Sequence, residues 1–156
     1  LFLYAPLHDL GKLMVPDAIL LKPGRLAADE FEQMKQHTTQ GKDLIEKLVN
    51  IYKLQNIPFI DVLKNIIFCH HEQIDGGGYP VGLTGKDIPI EAKIVAVADI
   101  FDALTSVRPY KKAWSFEKAT QHILDGAGSH FDPSVCKAFK HCLTKFEEIH
   151  LRYCEQ

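Results

Sequence analysis

From Ile90 to Thr105 the chain is apolar on nearly every helical face, with one carboxylate, Asp99, set inside the run Lys93-Ile94-Val95-Ala96-Val97-Ala98-Asp99-Ile100-Phe101-Asp102. A helix of that composition is stable only with neighbours packed all round it, so it predicts a central helix with a bundle built about it. The charge inside it needs a partner, a metal or a proton, because an unpaired buried carboxylate is costly. A buried ion pair or a hydrogen bond to a helix end would meet that need with no chemistry at all. Asp102, three residues on, faces a similar direction and could support Asp99.

The remaining pattern is helical too. Asp29 to Leu48 places Phe31, Met34, Leu44, Ile45 and Leu48 at three- and four-residue steps, with an interruption near Thr38-Thr39. Phe59 to Glu72 repeats the spacing with Val62, Leu63, Ile66, Ile67 and Cys69. Ser115 is placed to cap a helix running to about Asp125. Asp132-Pro133 opens the last one, with a cap residue followed by proline at the first helical position. No stretch alternates apolar and polar residues, so the expected fold class is all-α. The longest irregular piece, Ile74 to Pro89, holds five glycines and two prolines. A loop of that length inside a compact domain is usually functional.

The 156 residues are enough for one domain, expected to span residues 1–156, with a real core. A net charge of -2 argues against nonspecific binding to DNA or an anionic membrane. No apolar run approaches the roughly 18 to 20 residues that span a bilayer. Leu1 to Leu7 is too short for a signal peptide; the chain lacks an initiator methionine and starts in mid-pattern, so it is expected to be a piece of a longer protein. Cys69, Cys136, Cys142 and Cys154 show no metal-binding spacing, which suits reduced thiols in the cytoplasm.

Against this background six side chains stand out. His8-Asp9 are neighbours that, on a helix, flank one axis and can reach a shared centre, and a carboxylate can bridge two cations. His70-His71 close an amphipathic helix and run into Glu72, which could fix an imidazole tautomer, and then into Gly76-Gly77-Gly78-Tyr79-Pro80. His37 falls at the helix interruption, and Asp99 is the sixth. One metal with an open position needs only three or four protein ligands, so six suggest two metals. Lys12, one turn after Asp9, could hold a phosphate oxygen, and Arg108 and Lys111 could clamp a phosphate. Solvated cations, a surface histidine and a helix-terminal aspartate are the plain alternatives for these residues. His122, His130, His141 and His150 need only structural or surface roles.

These residues in this order closely resemble the HD-GYP family, a branch of the HD superfamily of metal-dependent phosphohydrolases. The resemblance runs from Leu7-His8-Asp9-Leu10-Gly11-Lys12 to Gly126-Ala127-Gly128. It passes through Pro16-Asp17-Ala18-Ile19-Leu20, Lys22-Pro23-Gly24, His70-His71-Glu72, Asp75-Gly76-Gly77-Gly78-Tyr79-Pro80, Asp99, Phe101-Asp102-Ala103-Leu104-Thr105-Ser106 and Arg108-Pro109-Tyr110. It implies an HD-domain helical bundle with a long glycine- and proline-rich GYP loop. The implied cofactors are two divalent metal ions, iron or manganese first, with nickel, zinc or magnesium as alternatives. The implied ligands are His8, Asp9, His37, His70, His71 and Asp99, with Asp9 bridging.

The implied activity is hydrolysis of cyclic di-GMP, or a related cyclic dinucleotide, to the linear dinucleotide or GMP. In that scheme Asp9 and Lys12 are catalytic, and Lys12, Gly78, Tyr79, Pro80, Arg108 and Lys111 meet the substrate. The family's partners are an upstream receiver or sensory domain and a diguanylate cyclase, and a homodimer is open. The family pattern also starts with a histidine on a helix upstream of His8, which this sequence does not include. One metal would then keep only His8, Asp9 and Asp99, while the other, held by Asp9, His37, His70 and His71, is complete. Two other readings are a module that binds a cyclic dinucleotide or a partner without turnover, and a one-metal nucleotide phosphohydrolase of the wider superfamily.

Overall fold

Ser115 and Asp132 cap the two helices the sequence assigns to them. The Ser115 hydroxyl accepts the Lys118 N–H at 3.2 Å, and Asp132 Oδ1 accepts those of Ser134 and Val135 at 2.8 and 3.3 Å. The structure, a computed structural model, describes residues 1–107 and 112–154. Two 3₁₀ turns, Ala5–Leu7 and Leu10–Met14, lead into α1 (Asp17–Leu20), α2 (Ala28–Lys35), α3 (His37–Ile51) and α4 (Ile60–Cys69). After the loop, which contains a 3₁₀ turn at Gly85–Asp87, come α5 (Ile90–Thr105), α6 (Phe116–Asp125), α7 (Pro133–His141) and α8 (Leu143–Cys154). Among the described residues there is no strand, only isolated bridges at Asp75–Thr84 and Ala127–Phe131, and the fold is all-α.

Helix α5 runs through the middle, against α4 on one side and α6 and α7 on the other. It is not enclosed all round, as its composition suggested. Val97, Phe101 and Leu104 are buried among α6 and α7, whereas Ile90 and Ile94 remain 54% and 38% exposed. That N-terminal end of the same stripe floors an open apolar groove of about 380 Å³ whose walls include Val135, Phe139 and Phe146. The later helices close over the C-terminal part of that stripe and leave its N-terminal end open. Helix α8, absent from the sequence reading, follows α7 directly and brings Phe146 to the apolar core.

The interruption between α2 and α3 falls at Gln36, just before His37 and close to Thr38-Thr39 as expected, and it has a local cause. The His37 ring and the Thr38 and Thr39 hydroxyls bond back to the carbonyls of Met34, Lys35 and Gln36 at 2.7, 3.0 and 3.0 Å. Side chains thus compete with the helix ladder for three successive acceptors. At the start of α2, Ala27 has no capping side chain. Glu30 compensates by accepting the Ala27 N–H at 2.6 Å, one half of a capping box.

Glycine decides where the first segment docks. A Cβ on Gly11 would overlap the His37 carbonyl, and one on Gly41 would press on Ile67 and on the Gly11 backbone. The turn Leu10–Met14 therefore lies directly on α3, which carries Asp9 up to His37.

Candidate metal centre

Four elements converge on one point. Asp9 and His8 sit at the junction of the two 3₁₀ turns, rather than on a regular helix, and Asp9 leaves helical geometry at φ -94°, ψ 11°. His37 is the first residue of α3, His70 caps the C-terminus of α4, His71 follows it, and Asp99 projects from α5. Ligand atoms of Asp9, His37, His70 and His71 lie within 4.8 Å of one another, a group that could hold a metal ion. His8 Nε2 approaches Asp9 Oδ2 at 3.3 Å and Asp99 Oδ1 at 3.5 Å on the other side of the same carboxylate. All six residues singled out in the sequence are brought together.

Backbone carbonyls fix three of the rings. Nδ1 of His8 meets Ala5 O at 2.8 Å, that of His37 meets Met34 O at 2.7 Å, and that of His70 meets Ile66 O at 2.9 Å. A carbonyl only accepts, so each Nδ1 carries the proton and donates it. In a neutral ring Nε2 is then left with a bare lone pair. His37 Nε2 and His70 Nε2 point at Asp9 Oδ1 from 3.4 and 3.8 Å, and none of these three atoms has a hydrogen-bond partner. Those separations resemble ion pairs, but an unprotonated nitrogen cannot donate to a carboxylate. Lone pairs face lone pairs in a nearly dry pocket, an arrangement that a cation resolves.

Electrostatics point the same way. Burial pushes His70 down to about 4, and burial followed by its imidazole neighbours takes His71 to about 3. His37 is also lowered, chiefly by burial. Burial pushes the Asp9 and Asp99 carboxyls up, but His8, joined by Lys12 at Asp9, outweighs it and holds both below the ordinary range. Set between the carboxylates, with Asp9 the larger influence and Asp99 next, His8 is raised to about 10. Three rings are therefore neutral and two carboxylates ionised at neutral pH, the protonation state that metal binding requires. His8 is the exception: without a metal it is itself the cation between two carboxylates.

The other sequence candidates divide. Lys12 Nζ pairs with Asp9 Oδ2 at 2.5 Å, so it touches the centre through that carboxylate. The Tyr79 ring lies 4.7 Å from the His71 ring, and burial raises its phenol above the ordinary range. Gly78, Tyr79 and Pro80 line a polar cleft of about 520 Å³ with Glu32, Lys35 and Gln36. Arg108 and Lys111 lie outside the described residues.

Two supporting assignments fail. Glu72 orients no imidazole: its carboxylate is buried and taken up by the N–H groups of Val81, Gly82 and Leu83. Asp102 is exposed and accepts the Ser106 hydroxyl at 3.4 Å, away from Asp99. Sequence reasoning also missed Lys35, whose Nζ stands 5.0 and 5.6 Å from the Phe31 and Tyr79 ring centroids. The i, i+4 spacing of Phe31 and Lys35 was its one visible sign.

A family model described as HD domain matches residues 1–135. The chain is 50% identical over 138 residues to a probable cyclic di-GMP phosphodiesterase of Vibrio cholerae serotype O1, covering 88% of this chain and 31% of that protein. It is 46% identical over 145 residues to the cyclic di-GMP phosphodiesterase response regulator RpfG of Xanthomonas campestris pv. campestris, covering 93% and 36%. A 3'3'-cGAMP-specific phosphodiesterase 2 of Vibrio cholerae is 40% identical over 131 residues, covering 84% and 24%. The chain thus spans roughly a third of the length of the first two. With the family match extending over most of its length and the His8-Asp9 pair at the focus of its buried histidines, the chain belongs to the HD domain family.

Proposed function

We propose that the domain is a metal-dependent phosphodiesterase that opens cyclic di-GMP, or a related cyclic dinucleotide, to the linear dinucleotide or on to GMP. The observation that carries this is the set of unpartnered lone pairs on His37, His70 and Asp9, with backbone carbonyls holding both rings in the tautomer that leaves Nε2 free. The relatives' names supply the substrate class.

Asp9 has two oxygens facing two ligand groups: Oδ1 toward His37 and His70, and Oδ2 toward His8. It is suited to bridge a site made by His37, His70 and His71 and a second made by His8 and Asp99. Imidazole and carboxylate donors with no thiolate favour iron or manganese. Divalent ions held by these residues would supply positive charge to phosphoryl oxygens and would lower the pKa of a water. His8 gives its Nε2 proton to solvent when its lone pair is needed. Lys12, held beside Asp9, adds charge for a non-bridging phosphate oxygen. Tyr79, un-ionised at neutral pH and pushed higher still by burial, offers a ring for a guanine or a hydroxyl for a phosphate. Gly78 and Pro80 shape the same wall, and Arg108 and Lys111 are assigned to the phosphate.

The buried free thiols Cys69 and Cys136 suit a reducing cytoplasm, and a regulatory module elsewhere in the whole protein is in keeping with the greater length of the relatives. The test is elemental analysis of protein loaded with Mn(II) or anaerobic Fe(II), beside turnover of cyclic di-GMP, 3'3'-cGAMP and a mononucleotide panel. Two metals per chain with cleavage confined to cyclic dinucleotides is expected. One metal per chain with cleavage of mononucleotides would replace this reading with the wider superfamily's chemistry.

A further inference from the structure

Glu72 follows the two ligating histidines, is 3% exposed, and has no cation beside its carboxylate in any ion pair among the described residues. Four backbone contacts occupy it instead. Oε1 accepts from Val81 at 2.8 Å and Gly82 at 3.2 Å, and Oε2 accepts from Gly82 at 3.0 Å and Leu83 at 2.8 Å. Three successive N–H groups converging on one carboxylate make an anion nest, and the buried anion filling it belongs to the chain itself.

Two further contacts tie the loop to the same short segment. The Tyr79 N–H donates to the His71 carbonyl at 3.1 Å, and Gly78 packs so closely on His71–Gln73 that a Cβ there would strike the Gln73 nitrogen and the Glu72 Cα. Between these anchors lies the Tyr79 ring, 4.7 Å from the His71 ring. His70, by contrast, is oriented by Ile66 O and Ile67 O on α4, with no help from Glu72.

We propose that Glu72 is a positioning residue for substrate: it seats the GYP loop on the metal-ligand segment and so fixes Tyr79 over His71, without orienting the ligands themselves. The assignment rests on the phosphodiesterase reading for its choice of substrate, and on geometry alone for the strut.

The experiment uses the Mn(II)-loaded protein and cyclic di-GMP. In Glu72→Gln one oxygen becomes an NH₂ group that faces N–H groups and cannot accept from them. Metal per chain should stay at the wild-type level, KM should rise about tenfold and kcat should hold within about threefold. Amide exchange at Val81, Gly82 and Leu83, protected in the wild type, should accelerate. Gly78→Ala lifts the same loop while leaving Glu72 in place, and it should reproduce the KM rise even if Glu72→Gln fails to fold. An unchanged KM in both variants overturns the proposal, and so does a loss of kcat that merely tracks lost metal or lost folded protein. Unprotected amides at these three positions in the wild type overturn it whatever the substrate is. Wild-type protein that holds metal but leaves cyclic di-GMP intact would instead sink the phosphodiesterase reading, while the exchange data still judge the strut.

Discussion

The two sides of α5 face interiors of different kinds. Toward α6 and α7, Val97, Phe101 and Leu104 join Ala119, Ile123, Phe131, Val135 and Phe139, with the rings of Phe101, Phe139 and Phe146 meeting edge to face. Toward α3 and α4, Asp99 meets a cluster whose most deeply buried members are His37 and His70, each 1% exposed. The first interior is held by release of water and close packing, and it needs nothing from outside the chain. The second buries acceptors that the chain leaves without donors. One interior is complete as folded, and the other keeps buried acceptors that a cation could meet.

The sharpest way to break this contrast is to remove the carboxylate on which the second interior converges. Asp9→Ala should abolish metal uptake and lower turnover at least about a thousandfold, the upper range for one group that stabilises transition-state charge. Its circular dichroism should stay that of the wild type, because the packed interior does not use Asp9. Full metal content with undiminished turnover would show that the buried lone pairs belong to no metal centre.

Next in size is the converse change. Phe131 is 2% exposed within the apolar cluster, and Phe131→Ala should cost about 3–5 kcal/mol in denaturant unfolding. Metal bound per folded chain should not change. If it falls, the two interiors are coupled through α5 and are not separate.

This division also explains what the sequence could reveal. The helices over 60–69, 90–105, 116–125 and 133–141 were legible because apolar spacing and caps such as Ser115 and Asp132 act locally. The six candidate ligands were legible because imidazoles and a carboxylate beside apolar runs are costly without a purpose. The exposure of Ile90 and Ile94 was not, because helix composition does not say how far along the stripe the later helices reach. The role of Glu72 was hidden for a related reason. Its partners are backbone amides at Val81 to Leu83, and a backbone amide carries no mark in the residue letters. The break before His37 was visible in the spacing, but its cause, side-chain bonds to carbonyls, was not.

A smaller effect separates the interiors thermodynamically. Mn(II) at about a hundred times its dissociation constant should stabilise the wild type by about 2.7 kcal/mol for each site it fills, provided the unfolded chain does not bind it. Asp9→Ala should gain nothing from the same addition, whereas Phe131→Ala, weakened but with its ligands intact, should gain the full increment. Equal gains in all three proteins, followed by thermal unfolding with and without metal, would mean that the ion acts on the surface.

The smallest effect concerns an acid on the packed side. The Ser134 hydroxyl, then Lys93 at 3.0 Å and the N–H groups of Ser134 and Val135, hold the Asp132 carboxyl down at about 2 against an ordinary 3.8. The folded state therefore releases this proton more readily than the unfolded chain does, so ionised Asp132 stabilises the fold. That contribution is fully present above the unfolded value, near pH 4, and disappears as pH falls through about 2. Asp132→Ala should accordingly cost about 1 kcal/mol at pH 7, as for a lost helix cap. The difference between variant and wild type should shrink between pH 4 and pH 2 in urea titrations. It should be the same with and without Mn(II), since Asp132 serves α7 and its tie to α5 and touches none of the ligands. A cost that persists undiminished at pH 2 would assign the effect to lost packing, and one that depends on Mn(II) would join the two interiors after all.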